Sequence, residues 1–322
     1  MPKVTVLTAV RNGEIYLPAT IASIQAQTFA DWEYLIVDDA STDATCAIVQ
    51  AAAAADSRIR LIRRARCGGP FIAANDGLRQ ARGRYIVRTD GDDISLPQRI
   101  AQQLAWLAAH PWARASATFC QSLDATGPIA NNFHIAPLSP RALAWYLCLR
   151  CPLVHSSACI EREALCAIGG YRPLPLAQDY AMWCDLAQRG WIGTFPEVLV
   201  YFRRHQGRVS VRSPVPQRAL AINAIRNHLS SMWGKDISEA TATIAYAVGH
   251  SEIASLPESL DFLNAWDRAW MQDSTLDSEG RQELTHLSAF RRRKMLRSNL
   301  RRQPVAFLRH LRSWAFPQPV YS

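Results

Sequence analysis

Short apolar runs alternate with segments of helical periodicity over the first 110 residues of the chain. The runs are rich in Val, Ile and Thr, which is typical of buried strands, whereas the segments between them repeat apolar residues at helical spacing. The predicted strands are residues 3–10, 34–37, 59–62 and 85–89, and the predicted helices are residues 15–27, 42–54, 71–81 and 97–110. Strands that alternate with helices in this way form a doubly wound, mostly parallel sheet, so the fold class is α/β.

The pattern becomes more mixed after residue 110 and wholly helical after residue 213. Further strands are predicted near residues 115–121, 156–161 and 198–202, and helices near residues 141–149 and 180–189. The proline-rich segment from Ser213 to Pro216 indicates a domain boundary. We therefore predict an α/β domain over residues 1–212 and an all-helical extension of about five helices over residues 213–322.

The composition is that of a globular protein, with 49% hydrophobic and 20% charged residues among 322. The formal net charge is +9, from 36 basic and 27 acidic residues. Residues 291–322 contain nine Arg or Lys and no Asp or Glu, which leaves 27 basic and 27 acidic residues in the rest of the chain. A basic protein often binds nucleic acid, but here the main domain is neutral, so we predict no nucleic-acid partner.

The sequence gives no sign of export. No apolar run approaches the roughly 18 residues that a membrane helix needs, and the first residues resemble a strand rather than a signal peptide. The eight Cys are therefore expected to be reduced thiols. We predict a cytoplasmic location, either free or on the inner face of the cytoplasmic membrane.

Acidic clusters follow two of the predicted strands. They are Asp38, Asp39 and Asp43 after the second strand, and Asp90, Asp92 and Asp93 after the fourth. Asp is also common in turns and helix caps, and some of these residues can serve there. Three carboxylates within four residues nevertheless repel one another unless a cation lies between them, and hard oxygen ligands suit Mg²⁺ or Mn²⁺. The carboxyl ends of parallel strands are also where α/β proteins bind ligands.

The glycine-rich phosphate-binding motifs are missing from the sequence. There is no G-x-x-x-x-G-K-[ST], and no G-x-G-x-x-G follows the first strand. Carboxylates can face a diphosphate only if a divalent cation bridges them, and such a cation also makes the diphosphate a good leaving group.

Several ordered motifs closely resemble those of family 2 glycosyltransferases, which have the GT-A fold. They are Val4–Glu14, Gln27–Phe29, Val37–Asp43, Asn75, Arg82–Ile86 and Asp90–Pro97, within a match of about residues 3–205. The resemblance implies an inverting transferase that uses a nucleoside-diphosphate sugar. It also implies that Asp39, with Asp38, contacts the nucleoside, and that Asp90-x-Asp92 is the D-x-D motif with Asp92 as the metal ligand.

The sequence departs from the family pattern at three positions near the donor. Ala9 stands where Pro or Thr is usual, and Arg11 where Tyr is usual; both belong to the predicted nucleotide-binding edge. Ala74 stands where Arg often precedes the motif Asn, and either Arg66 or Arg88 could supply a replacement cation.

A general base is expected on the acceptor side of the site. An inverting transfer needs a carboxylate within hydrogen-bond reach of the acceptor hydroxyl. Asp179, in the segment Ala177–Trp183, resembles the Asp of the family's acidic-Asp-Tyr-x-x-Trp motif, with Gln178 in place of the usual acidic residue. Asp179 is equally suited to a helix N-terminus, where the dipole favours a negative charge, and the two roles are compatible.

The segment Arg203–Ser210 resembles a family segment near the diphosphate. Its cationic side chains would offset negative charge on the leaving group, and we assign His205 to donor binding. A His in an exposed loop is otherwise simply solvated.

The basic C-terminal segment suggests a further partner. Residues 307–314 place Phe and Leu residues and a Trp on one side of a predicted helix, and the Arg residues elsewhere. This pattern suits a helix at a membrane interface, so residues 291–316 are predicted to contact an anionic membrane surface. The alternative is that the apolar side packs on the transferase domain.

The sequence thus predicts a metal-dependent, inverting glycosyltransferase with a glycan or lipid-linked acceptor. A non-catalytic scaffold that binds a nucleotide sugar or glycan, and a membrane-surface adaptor that uses the basic tail, are the alternatives from other classes. A nucleotidyltransferase is a weaker alternative, because residues 11–14 do not form the Gly-rich, Lys/Arg-bearing loop that it would need.

Overall fold

A computed structural model describes residues 1–133, 138–208, 214–252 and 255–302. The strands are β1 Val4–Val10, β2 Trp32–Asp38, β3 Ile59–Arg63, β4 Tyr85–Arg88, β5 Ile94–Ser95, β6 Ala115–Asp124, β7 Gly127–Phe133, β8 Ala158–Glu161 and β9 Ile192–Arg203. The helices are α1 Leu17–Gln25, α2 Thr45–Ala55, α3 Pro70–Gln80, α4 Arg99–Ala109, α5 Pro140–Leu147, α6 Arg162–Ala167, α7 Gln178–Ala187, α8 Pro214–Trp233, α9 Glu239–His250, α10 Leu256–Met271 and α11 Ser278–Arg302. The predicted α/β class and the helical C-terminal part are confirmed.

The strands form one mixed sheet in the order β3-β2-β1-β4-β8-β6-β9-β5, with β7 paired to β6. The first four strands are parallel, as β1 pairs with β2 and β4, and β2 with β3. Strand β8 is antiparallel to both β4 and β6, while β9 runs parallel to β6. The parallel half is buried on both faces, which explains the continuous apolar runs of β1 and β2.

The register brings the acidic strand ends to one edge of the sheet. Val10 pairs with Asp38, so the ends of β1 and β2 are level. Leu7 pairs with Arg88 at the end of β4, and the chain continues from there into Thr89 and Asp90.

Helix α1 differs from the predicted helix in its buried face. Periodicity suggested a helix from Ile15, but the helix begins at Leu17, and Ile15 is 75% exposed. Leu17, Ile21 and Ile24 are the apolar residues that α1 buries in the core. The helix itself was predicted, but its start was not. Apolar residues in this segment lie on more than one side of a helix, and only packing on the sheet decides which of them are buried.

The chain divides into two compact units. One contains residues 1–144 and 151–224, and the other contains Trp145–Arg150 and the chain from Ile225 onward. The predicted boundary after residue 212 falls in residues 209–213, which lie outside the described residues.

The helical unit is built around buried tryptophans and around the inserted segment 145–150. Trp266 is fully buried and donates from its indole nitrogen to the carbonyl of Trp145 (3.3 Å), while Trp145 donates to Asp273 (2.7 Å). Arg291 is also buried within this unit, where it donates to the carbonyl of Gly249 (2.7 Å).

The burial of Arg291 changes the interpretation of the basic segment. Arg291 supports the interior of the helical unit, and Arg292 pairs with Asp267 at 2.5 Å. Arg293 and Lys294 are exposed and do contribute surface charge. The predicted amphipathic helix at residues 307–314 lies outside the described residues. None of the helices within the described ranges has the length and hydrophobicity needed to cross a membrane.

Candidate functional site

A cavity of about 310 Å³ lies beside the ends of β1 and β4. Six of the predicted site residues line it, namely Ala9, Arg11, Asp90, Asp92, Asp179 and His205. They come from four separate parts of the sequence, which the fold brings together. Asp38 and Asp39 do not line this cavity.

The loop after β4 concentrates negative charge at the cavity. Asp90, Asp92 and Asp93 each offer a carboxylate oxygen, and these oxygens lie within 4.8 Å of one another. Asp93 is fully buried, and only one of its two oxygens has a hydrogen-bond partner among the described residues, the backbone N–H of Arg203 (2.9 Å). Burial, followed by the charges of Asp92 and Asp90, raises the pKa of Asp93 to about 8.

These carboxylates fit a hard divalent cation. Carboxylate oxygens are the ligands that Mg²⁺ and Mn²⁺ prefer, and Oδ2 of Asp93 is buried without a hydrogen-bond partner among the described residues. The raised pKa of Asp93 indicates that its surroundings disfavour a third ionised carboxylate unless a cation is added. Asp90 and Asp92 are the members of the cluster that line the cavity, and therefore the ones that a bound cation could reach.

Arg88 is the principal cation beneath the acidic loop. Its side chain is only 4% exposed, and its Nη2 lies 2.8 Å from Oδ1 of Asp90. Its Nη1 donates to the carbonyl of Leu7 (2.7 Å), which fixes the guanidinium at the end of β1. Burial by itself would raise the pKa of Asp90, but the charge of Arg88 is the largest of several influences that instead lower it. Of the two arginines considered as replacement cations, Arg88 is the one that lines the cavity.

The segment after β9 is attached to the acidic loop. His205 Nε2 lies 2.8 Å from Oδ2 of Asp92, and Arg203 donates from Nε to the carbonyl of Asp92 (2.8 Å). Tyr16 packs against both side chains, with its ring centroid 4.5 Å from that of His205 and 5.0 Å from the Arg203 guanidinium carbon. His205 is therefore held against the D-x-D segment rather than free in solvent.

Asp179 lies in the first turn of α7, as predicted. The residue before the helix, Ala177, has a left-handed backbone (φ 58°) that turns the chain into the helix. Burial is the main cause of the raised pKa of Asp179, and the charge of Asp90 adds to it, while the backbone N–H of Tyr180 opposes it. Asp179 is thus a stronger base than an ordinary aspartate, and it senses the charge of Asp90.

The carboxylate of Asp39, directly after β2, accepts hydrogen bonds from four groups of the protein. Asp39 accepts hydrogen bonds from the backbone N–H groups of Gly68 (2.9 Å) and Gly69 (2.8 Å), from the Cys67 thiol (3.3 Å) and from Arg64. Burial would raise the pKa of Asp39, but these donors outweigh it and lower the pKa. The nucleoside contact that the family resemblance implies for Asp39 stays a prediction.

Asp38, the last residue of β2, is also buried, and its carboxylate also has protein donors. Its carboxylate accepts hydrogen bonds from the thiol of Cys46 (3.1 Å) and from the backbone N–H of Ser41 (3.3 Å). The Ser41 hydroxyl accepts in turn from the backbone N–H of Asn12 (2.8 Å), so it links the segments that follow β1 and β2.

Two side chains near the cavity were missed by sequence reasoning. His155 lines the cavity, and its Nε2 lies 3.0 Å from the hydroxyl of Tyr171. His155 precedes β8, which pairs antiparallel with β4 through contacts such as Val87 with Cys159. No local motif signals that pairing, because it joins residues more than 60 positions apart in the sequence.

The chain is similar to several known proteins. A family model described as "Glycosyl transferase family 2" matches residues 5–137. The chain is 32% identical over 196 residues to EpsE of Bacillus subtilis, a protein named as a glycosyltransferase, and the match covers 60% of this chain and 69% of EpsE. It is 28% identical over 212 residues to WfaP of Escherichia coli, named UDP-Glc:alpha-D-GlcNAc-diphosphoundecaprenol beta-1,3-glucosyltransferase, covering 65% of this chain and 80% of WfaP.

Solved structures show the same fold at low sequence identity. TarS 1–349 of S. aureus, in complex with UDP-GlcNAc, matches with a TM-score of 0.63 at 16% identity, covering 94% of this chain and 92% of TarS 1–349. The mannosyltransferase PcManGT of Pyrobaculum calidifontis, in complex with GDP-Man and Mn²⁺, matches with a TM-score of 0.56 at 21% identity, covering 94% and 88% of the two chains.

Proposed function

Because this chain belongs to glycosyltransferase family 2, we propose that it is a metal-dependent, inverting transferase of cell-envelope polysaccharide or glycolipid synthesis. It moves a sugar from a nucleoside-diphosphate donor to a hydroxyl group of a glycan or lipid-linked acceptor. One observation carries the proposal: the clustered carboxylates of Asp90 and Asp92 line the same cavity as the half-buried base candidate Asp179. This arrangement supplies a donor side and an acceptor side within one site.

Asp90 and Asp92 are the residues that would hold Mg²⁺ or Mn²⁺. When bound, such an ion stabilises the negative charge that develops on the diphosphate leaving group. Arg88 keeps Asp90 ionised and in place, and His205 orients Asp92. The presence of Mn²⁺ in the PcManGT complex supports the choice of cation.

Asp179 acts as the general base of the transfer. The acceptor hydroxyl oxygen attacks the anomeric carbon, its proton passes to the Asp179 carboxylate, and the bond between the anomeric carbon and the diphosphate oxygen breaks. Attack on the face opposite the leaving group inverts the configuration of that carbon. The raised pKa of Asp179 favours the transfer, because it makes the carboxylate a better proton acceptor.

The donor is placed by the residues at the other end of the cavity. Ala9 and Arg11 lie along the cavity wall. We propose that they form the nucleotide-binding edge together with Asp38 and Asp39, which lie at the end of β2 and do not line the cavity. His205, at the D-x-D segment, lies beside the diphosphate. We retain Asp39 as the nucleoside contact, which requires the nucleoside to replace at least one of the groups that now donate to this carboxylate.

The acceptor is assigned from the relatives and from the charge of the C-terminal segment. WfaP is named for transfer to a diphosphoundecaprenol-linked sugar, which supports a lipid-linked acceptor here. Within residues 291–316, Arg293, Lys294 and Arg297 are exposed, so they remain available to an anionic membrane surface. We therefore place the enzyme in the cytoplasm, peripherally on the inner face of the membrane.

A thermal-shift panel of nucleoside diphosphates and their sugars, with and without Mn²⁺, tests the proposal. We expect one nucleotide sugar to raise the Tm, and to raise it more when Mn²⁺ is present, because a ligand that binds only the folded state stabilises it. The matching nucleoside monophosphate is the control, since it lacks the second phosphate. If no nucleotide changes the Tm under either condition, the proposal is wrong; if the donor binds but no nucleoside diphosphate is released with acceptor present, the protein is a scaffold.

A further inference from the structure

A series of partly or fully buried hydrogen bonds connects α3 to the segment that precedes Asp179. The Asn75 side chain bonds the backbone of Tyr171 twice: its Nδ2 donates to the Tyr171 carbonyl (2.8 Å), and its Oδ1 accepts from the Tyr171 N–H (2.9 Å). Gly170 makes this contact possible, because a Cβ at that position would lie 2.5 Å from Oδ1 of Asn75 and the backbone has a positive φ of 73°. The position of Tyr171 is therefore fixed through its backbone as well as its side chain.

The Tyr171 side chain extends the series toward the donor side. Its hydroxyl lies 3.0 Å from Nε2 of the buried His155, and the two rings meet edge to face with centroids 5.4 Å apart. The other ring nitrogen of His155 lies 4.0 Å from Oδ1 of Asp90. The neighbouring Ser156 accepts a hydrogen bond from the backbone N–H of Asp90 (3.0 Å), so this turn also fixes the start of the acidic loop.

The segment that contains Tyr171 is also attached to α7, the helix that carries the base candidate Asp179. Arg172, directly after Tyr171, forms a two-point ion pair with Asp185 in α7 at 2.5 and 2.8 Å. This ion pair attaches the loop to the helix whose first turn carries Asp179. A shift of Tyr171 would thus be passed on to Asp179.

We propose that Asn75, Tyr171 and His155 are positioning residues that keep the carboxylate of Asp179 at a fixed distance from that of Asp90. The two carboxylates serve opposite sides of one anomeric carbon, so their separation must match the distance between the acceptor oxygen and the leaving group. A hydrogen-bonded network of this kind is suited to the task, because its members hold one another in a single arrangement. The inference rests on the proposed function, since it takes Asp179 as the base.

The direct test is Tyr171→Phe, which removes one hydroxyl and keeps the ring. We expect acceptor-dependent kcat to fall on the order of 10- to 100-fold, as small misplacements of a catalytic group do. Donor affinity and the slow hydrolysis of the donor by water should stay at wild-type values, so the ratio of transfer to hydrolysis falls. An unchanged ratio, or a donor affinity that falls as much as transfer does, would overturn the proposal.

Tyr34→Phe is the matched control. Tyr34 is also fully buried, and its hydroxyl lies 2.9 Å from the hydroxyl of Thr8, but this bond joins β2 to β1 and does not involve the acceptor-side loop. We expect a comparable loss of Tm with no change in the ratio of transfer to hydrolysis. A fall in the ratio in this control would show that the loss in Tyr171→Phe is a general effect of destabilisation, and would also overturn the proposal.

Variants of His155 and Asp179 complete the test. His155→Gln retains an atom that can accept from the Tyr171 hydroxyl and should keep more transfer activity than His155→Phe; equal losses would contradict the positioning role. Asp179→Asn, measured in parallel, separates the two hypotheses. If Asp179→Asn transfers normally, the proposed function fails; if it is inactive while Tyr171→Phe is unaffected, only the positioning proposal fails.

Discussion

The acidic clusters that follow β2 and β4 are alike in sequence, but the pKa of a buried carboxyl is shifted in opposite directions in the two. Asp39, after β2, accepts from two backbone N–H groups, a thiol and an arginine, and its pKa is lowered. Asp93, after β4, is buried beside two further carboxylates, and its pKa is raised to about 8. The donors around Asp39 favour its ionised form, whereas burial and the two neighbouring carboxylates disfavour ionisation of Asp93.

The difference shows what a cluster of carboxylates needs before it can be assigned to a metal. Both clusters follow buried parallel strands and both reach the same edge of the sheet. The distinction comes from the loop Arg64–Gly69, which folds onto Asp39, whereas Arg88 compensates only Asp90 in the other cluster. The supply of donors from outside the motif, rather than the number of aspartates, separates a structural cluster from a cation site.

The largest expected effect is the loss of metal-dependent transfer in Asp92→Asn. Removing this carboxylate should lower kcat on the order of 100- to 1,000-fold, as the loss of a charge-stabilising group does at other active sites. Mn²⁺ should also no longer raise the Tm of this variant. Turnover assays and thermal shifts with and without Mn²⁺ measure both effects.

Two matched variants show whether the effect belongs to the second cluster. Asp236→Asn removes an exposed carboxylate between α8 and α9 and should behave as wild type in both measurements. Asp39→Asn should keep the rise in Tm with Mn²⁺, because protein donors already occupy that carboxylate. Full activity in Asp92→Asn, or loss of the Mn²⁺ effect in Asp39→Asn, would remove the contrast between the clusters.

The next effect is on the pH dependence of transfer. Asp179 must be ionised to accept a proton, and burial, with the charge of Asp90 in addition, raises its pKa above the ordinary 3.8. Transfer should therefore fall about tenfold for each pH unit below the pKa of Asp179, and this acid limb should begin at a higher pH than for an exposed aspartate. Initial rates over a range of pH with saturating donor and Mn²⁺ give the midpoint.

Donor binding measured over the same pH range is the control for that profile. The pKa of Asp90 is lowered, so this donor-side carboxylate should stay ionised where Asp179 is already protonated. If donor affinity falls together with the rate of transfer, the acid limb reports the acidic cluster rather than the base.

Much of the site was predictable because parallel strands that alternate with helices end at a common edge. This rule is enough to bring Ala9, Arg11, Asp90 and Asp92 together once the strands are recognised. Family resemblance, rather than periodicity, supplied Asp179.

The parts that were not predictable depend on long-range pairing. The roles of His155 and Tyr171 arise because β8 enters the sheet antiparallel to β4, and nothing in the local sequence specifies that neighbour. The donors that saturate Asp39 were equally hidden, because two of them are backbone N–H groups, which any residue other than proline can supply.

The smallest effect is on stability, and it tests the contrast without any ligand. At pH 7, with a chelator present, Asp39→Asn should lower the free energy of unfolding by about 1–3 kcal/mol, because Arg64 and the Gly68 and Gly69 amides lose an ionised partner. The lowered pKa of Asp39 means that its contribution is present above the pKa of the unfolded chain and is lost as the pH falls through the folded value, so the difference between this variant and wild type should shrink in acid.

Asp93→Asn should raise the stability relative to the wild type, and the gain should grow as the pH rises. The folded pKa of Asp93 is about 8 against an ordinary 3.8, so the wild type loses stability progressively as the pH rises from about 4 to 8, and the uncharged variant escapes this loss. Asn can still accept from the backbone N–H of Arg203, which keeps the loop in place. Urea unfolding from pH 2 to pH 8 should therefore show Asp93→Asn gaining on the wild type between pH 4 and pH 8, whereas the stability deficit of Asp39→Asn stays constant over that range and shrinks only below about pH 4. If the stability difference of Asp93→Asn stays constant between pH 4 and pH 8, or that of Asp39→Asn changes there, the two clusters do not differ electrostatically in this way, and the cation site must be assigned on other grounds.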